Sequence, residues 1–99
     1  MRFDEFWSSL QSEISVPKRF RTLKHGKEFK AVFNNVVTIT PTSQYQRTLT
    51  KNEFEKVWKR AKNLPNNEQF KRVNYNDMTR NGSYILCLMK HIISKQKIE

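Results

Sequence analysis

The apolar residues of this chain change period twice, and that restricts the fold to a mixture of helices and strands. Phe3, Phe6, Trp7, Leu10 and Ile14 recur at helical spacing. They predict an amphipathic helix over residues 3–14. Asp4 and Glu5 suit the positive end of its dipole, and Ser15-Val16-Pro17 ends it. Alternation then takes over. Phe20 to Leu23 reads as a short strand, and Lys24-His25-Gly26-Lys27 as a turn in which Gly26 is free to take a positive φ. Phe29, Ala31 and Phe33 share one face of a second strand, and Asn34-Asn35 suits a tight hairpin turn. Val36 to Thr40 is β-branched throughout, which favours a strand that Pro41 stops. Gln44 to Leu49 can add another. The expectation is an antiparallel meander of three or four strands.

Helical spacing returns at Thr50-Lys51-Asn52-Glu53, which fits a capping box with Thr50 as N-cap and Glu53 reaching back. Leu49 and Phe54 hold the hydrophobic-staple positions. Phe54, Val57, Trp58 and Ala61 then form one apolar stripe, so residues 51–62 read as a helix. Leu64-Pro65-Asn66-Asn67 breaks it. Residues 68–82 carry no clear period; Phe70, Val73 and Tyr75 suggest a short strand or packed loop. Ser83 to Lys95 reads as the last helix, capped by Asn81 or Ser83, with Gln96 to Glu99 frayed. Its apolar residues cover more than half its circumference, as in a central helix or one that joins a homodimer. The order is α+β: a three- to four-stranded antiparallel meander packed against two helices, with an additional N-terminal helix laid across it. The expected core is Phe6, Trp7, Leu10, Phe29, Phe33, Ile39, Phe54, Val57, Trp58, Ile85, Leu88, Met89 and Ile92.

Ninety-nine residues suit one domain, so 1–99 is read as a single small basic α+β unit. Leu, Ile, Val and Phe supply about a quarter of the chain, above the roughly 20% below which a highly charged chain stays disordered. The single cysteine, Cys87, can form no internal disulfide and fits a reducing compartment. The first residues carry acids where a signal peptide needs a basic start. No apolar run approaches the roughly 18 residues of a membrane span. The expectation is a soluble cytoplasmic protein with no membrane partner.

The charge is the one functional signal. There are 19 Lys and Arg against 9 Asp and Glu, a formal net charge of +10, which points to a polyanionic partner. Lys18, Arg19, Arg21, Lys24, Lys27 and Lys30 cluster with His25 and are opposed only by Glu28. On a hairpin such side chains can line a face that binds phosphates by counterion release. Lysines also protect strand edges, but the cluster coincides with a large net charge, which favours the phosphate reading. Lys56, Lys59 and Arg60 share one side of the middle helix, where a solvated face is the simpler account. Lys71-Arg72 and Arg80 flank a polar loop that opens the last helix at Asn81-Gly82-Ser83, an arrangement able to hold an anion but common to capped helices. No helix-turn-helix is possible, because about twenty residues separate the middle and last helices.

These residues favour a non-catalytic module binding nucleic acid, DNA or RNA, through its basic surface. The expected site is Lys18, Arg19, Arg21, Lys24, His25, Lys27, Lys30, Lys56, Lys59, Arg60, Arg72 and Arg80. One alternative is a small interaction or inhibitor protein meeting an acidic partner, marked by an exposed apolar patch such as Ile93 and Ile98. A weaker one is a toxin-type ribonuclease using His25 and Arg47. One Cys and two distant His give no metal-ligand spacing. No Gly-rich phosphate loop is present, so no cofactor is expected. Monomer and homodimer through the last helix both remain open.

Overall fold

The alternation predicted for residues 28–40 places one face of a sheet against the helices and leaves the other to solvent. The computed structural model describes residues 1–42 and 45–97, the last two as backbone alone. Four antiparallel strands lie in chain order: β1 (Lys18–Arg21), β2 (Glu28–Asn34), β3 (Val36–Pro41) and β4 (Arg47–Leu49). Around them stand α1 (Phe3–Glu13), α2 (Lys51–Lys62), a 3₁₀ turn (Arg72–Tyr75) and α3 (Gly82–Lys97). The expected start of the fourth strand at Gln44, and the chain from Ile98, lie outside the described residues.

Register sorts the side chains. Phe20 pairs with Phe29, Ala31 with Ile39, Phe33 with Val37, and Val37 with Leu49. These residues make the inner face. Phe29 meets Tyr84 of α3 edge-on at 5.0 Å, and Phe33 meets Trp7 of α1 at 6.2 Å. The outer face carries Arg19 opposite Lys30, Lys30 opposite Thr40, Arg21 opposite Glu28, and Thr38 opposite Thr48. Asn35 closes the β2–β3 hairpin with φ 66°, a conformation Asn tolerates better than most residues. Gly26 closes the β1–β2 turn with φ 62°.

The capping box forms as expected. The Thr50 hydroxyl accepts from the Glu53 N–H at 3.1 Å, and the Glu53 carboxylate accepts from the Thr50 N–H at 3.3 Å. That carboxylate does more. Its second oxygen accepts from the Thr79 hydroxyl at 2.8 Å and the Asn81 amide at 3.1 Å, tying the start of α2 to the start of α3. Asn81 therefore spends its side chain on Glu53 and Arg47, while its backbone carbonyl accepts from Tyr84 and Ile85 to open α3.

Helix α3 is central. Residues 85 to 89 and Ile92 are all buried, and Ile93 packs against the same core. Its nearly all-round apolar surface is thus absorbed within one chain. Helix α1 contributes to the core as expected: Phe6 stacks on Trp58 at 4.9 Å and tilts against Phe54 at 6.0 Å. Eleven of the thirteen expected core residues are buried; Trp7 and Phe33 are only partly so, packing on each other at the rim.

Several boundaries differ from expectation. Strand β1 begins at Lys18, where its pairing with Ala31 starts, and stops at Arg21 rather than Leu23, because Thr22 turns inward and its hydroxyl accepts from the Lys27 N–H at 2.9 Å. The last helix runs through residues 96 and 97, where fraying was expected. Residues 68–82 hold no strand. They form a tight loop braced by polar bonds: Tyr75 is fully buried with its hydroxyl donating to Gln69 O at 2.6 Å, and the Asn74 amide donates to Glu68 O at 2.8 Å. Val73 points outward.

Candidate nucleic-acid interface

The β1–β2 turn, the 3₁₀ turn and the start of α3 enclose an open groove of about 820 Å³. Each wall has a local cause. Gly26 lets the first turn reverse, holding Lys24 and His25 outward. The bonds of Asn74 and Tyr75 fix the second, holding Lys71 and Arg72 at the surface. Lys90 follows one helical turn after Leu86 on α3, and both line the groove. Gly82 at the head of α3 packs under Arg72, whose Cγ would lie 3.4 Å from any added Cβ.

The lining is basic and apolar together. Lys24, Lys71, Arg72 and Lys90 supply the charge, with His25, Ser83 and Asn76 beside them, and among the described residues no carboxylate lines the groove. Lys71 is partly spent on Glu68 at 2.6 Å. Among the described residues, Lys24, Arg72 and Lys90 enter no ion pair. Phe70, Leu23, Val73 and Leu86 complete the wall. Lys90 Nζ stands over the Phe70 ring, 5.7 Å from its centre, a cation–π arrangement. Leu23 and Val73 are large apolar side chains left 43% and 68% exposed.

The twelve residues expected to contact a nucleic acid fall into separate groups. Lys24, His25 and Arg72 come together in the groove. Arg19, Arg21 and Lys30 stand on the outer sheet face, where Arg21 also donates to Gly26 O at 3.2 Å and lies 3.6 Å from Glu28. Lys27, Lys56, Lys59 and Arg80 are exposed but do not line the groove. Two are engaged within the fold. Lys18 shares the inner side of β1 with Phe20 and binds Glu13 at 2.9 Å. Arg60 binds Asp77 at 2.5 Å and Asn74 O at 3.1 Å, bracing the loop that carries Arg72. Asp77 raises the Arg60 pKa, and Arg60 lowers that of Asp77.

Glu13 is the strongest charge centre. Lys18, His91 and Lys95 reach it at 2.9, 2.6 and 2.8 Å. Burial pushes its pKa up, but the hydrogen bonds from Lys95, His91 and Lys18 together outweigh burial and hold it at about 2. This cluster joins α1, β1 and α3 and is structural.

His25 and Arg47, the pair weighed for a ribonuclease, do not converge, and His91, Glu53 and Cys87 are engaged elsewhere. His25 lines the groove, whereas Arg47 turns inward to Asn81 at 3.2 Å and over the Tyr84 ring at 5.5 Å. His91 is held by Glu13, and Glu53 by its cap. Cys87 is buried, its thiol pushed up to about 11 by burial, and donates to Arg21 O at 3.0 Å. Among the described residues no three His, Cys, Asp or Glu groups stand close enough to hold a metal. No described helix is long and apolar enough to cross a membrane. Of the apolar patch expected at Ile93 and Ile98, Ile93 is partly buried against the core and Ile98 lies outside the described residues; among the described residues lining the groove, Leu23 and Val73 are exposed and apolar.

Sequence reasoning missed Lys90 and Phe70 as groove residues, whereas Ser83 belongs to the polar loop singled out at the opening of the last helix. Lys90 is the one exposed position between Ile85 and Ile92 of an otherwise buried run, and that isolation was its only signal. Comparison of the chain with protein-family models, with curated proteins and with solved structures finds no match.

Proposed function

We propose that this domain is a non-catalytic nucleic-acid-binding module whose principal contact surface is the basic groove. One observation carries this: basic side chains from three separate segments, at 24–25, 71–72 and 90, meet around one concavity that no carboxylate lines among the described residues. A net charge of +10 alone would mark only solubility or a general polyanion preference. Convergence in a concave site gives that charge a place to act. Arg19 and Lys30 on the sheet, with Lys56 and Lys59 on α2, supply secondary phosphate contacts.

Phosphate contacts dominate such binding, so affinity falls with salt, by roughly 0.7 log units per log unit of salt for each phosphate on a single strand and 0.9 on duplex DNA. Fluorescence anisotropy at two salt concentrations measures this. Reversing Lys24 and Arg72 to Glu together should reduce affinity at least tenfold and flatten the salt slope by about two contacts. Unchanged affinity in that variant would refute the groove as the contact surface.

A second reading is an interaction protein that meets an acidic partner. Leu23 and Val73, exposed beside the cations, support it, since protein interfaces pair an apolar centre with a polar rim. A protein partner retained after nuclease treatment, and lost on Val73→Glu, would favour it over nucleic acid.

A further inference from the structure

The groove is more than a patch of charge: it pairs cations with an aromatic ring and an apolar wall. Resting on the proposed function, we infer that it is a nucleotide pocket that makes the domain selective for single-stranded nucleic acid. One unstacked base lies against Phe70, Leu23 and Val73, and its flanking phosphates meet Lys24, Arg72 and Lys90.

Three observations support this. The first is size. A volume of about 820 Å³ lies in the roughly 300–1,000 Å³ range of small-ligand sites, enough for a nucleotide with part of its neighbours. A surface that only tracks a phosphate backbone needs no such concavity. The second is chemistry. Single-strand binders combine cations for the backbone with aromatic faces on which bases stack, and Phe70 is the one phenyl ring among the described residues lining the groove. The third is the pairing of Lys90 with that ring. An incoming base displaces the ammonium from over Phe70, and the freed ammonium then meets a phosphate at the same place. The cation is thereby held near its target in the free protein. A duplex keeps its base faces within the stack, so it offers this groove phosphates only, unless a base is flipped out.

The test is anisotropy with labelled oligothymidylate, a blunt duplex of equal length and the same label, and three proteins: wild type, Phe70→Leu and Val73→Glu. Leu keeps the apolar volume at 70 and removes the ring face. Val73 is 68% exposed, so its substitution places a carboxylate at the groove mouth without disturbing the core. Circular dichroism confirms the fold of each. The single strand should bind at least tenfold tighter than the duplex. Phe70→Leu should weaken the single strand by about 5-fold or more, toward the roughly 150-fold of a complete base stack, and leave the duplex unchanged. Val73→Glu should also weaken the single strand more than the duplex. Equal affinity for both forms, or variants that weaken both equally, would overturn the pocket while leaving a nucleic-acid module standing. Binding of neither form at low salt would overturn both proposals and turn attention to an acidic protein as the occupant.

Discussion

Replacing Glu13 with Gln tests how a chain so short of acids holds α1, β1 and α3 together. Glu13 is 11% exposed and contacts Lys18, His91 and Lys95, the last two 78 and 82 residues away. Its carboxyl sits at about 2 against an ordinary 4.5. At about 1.36 kcal/mol per pH unit, that difference has a ceiling on the order of 3 kcal/mol at neutral pH. Lys18 and Lys95 are 45% and 54% exposed, so water and salt screen part of it, and about 1.5–2 kcal/mol is the expected loss. For a chain of this length that lowers Tm by on the order of 10 °C. The sign follows from the depressed pKa. Wild-type stability from this carboxylate is fully present above about pH 4.5 and is lost as pH falls toward 2, whereas Gln does not titrate. Urea titrations of both proteins from pH 7 to pH 3 should therefore show the gap fall to roughly half, and 1 M salt at pH 7 should also narrow it. A Gln variant as stable as wild type at pH 7, or a gap that persists undiminished at pH 3, would show that these contacts contribute no net charge stabilisation.

Three further outcomes are expected. Glu53→Ala removes the capping box and both bonds to the α3 start, and should cost about 2–4 kcal/mol in urea unfolding; a loss under 1 kcal/mol would mean that solvent replaces the network. Trp58→Phe should change stability by less than about 1 kcal/mol, because the smaller ring forfeits packing but removes a buried indole N–H that has no partner among the described residues; a loss above 3 kcal/mol would show that the N–H is satisfied. The Cys87 thiol, pushed up to about 11 by burial, should react with a disulfide reagent at pH 8 far more slowly in the native protein than in urea, and equal rates would contradict its burial.

The sequence was legible wherever structure is made by neighbours along the chain. Helix α2 was readable from its capping box and stripe, because those bonds span three or four residues. The hairpin at Asn35 and the turn at Gly26 were readable because few residues accept a positive φ. Residues 68–82 were not readable: their conformation rests on Asn74, Tyr75 and Arg60 bonding to backbone carbonyls, and such bonds leave no period in the sequence.

The functional surface divides along the same line. Composition by itself determined that the protein is basic and that its cations are concentrated after the first helix. Which cations are available to a ligand was decided by tertiary structure alone. Lys18 and Arg60 look like their neighbours in the sequence, yet each is bound to a carboxylate brought from elsewhere in the fold. Lys24, Arg72 and Lys90 lie far apart in the chain, yet share one groove with Phe70. Charge is a property of each residue, but pairing and concavity depend on distances between segments that only folding sets.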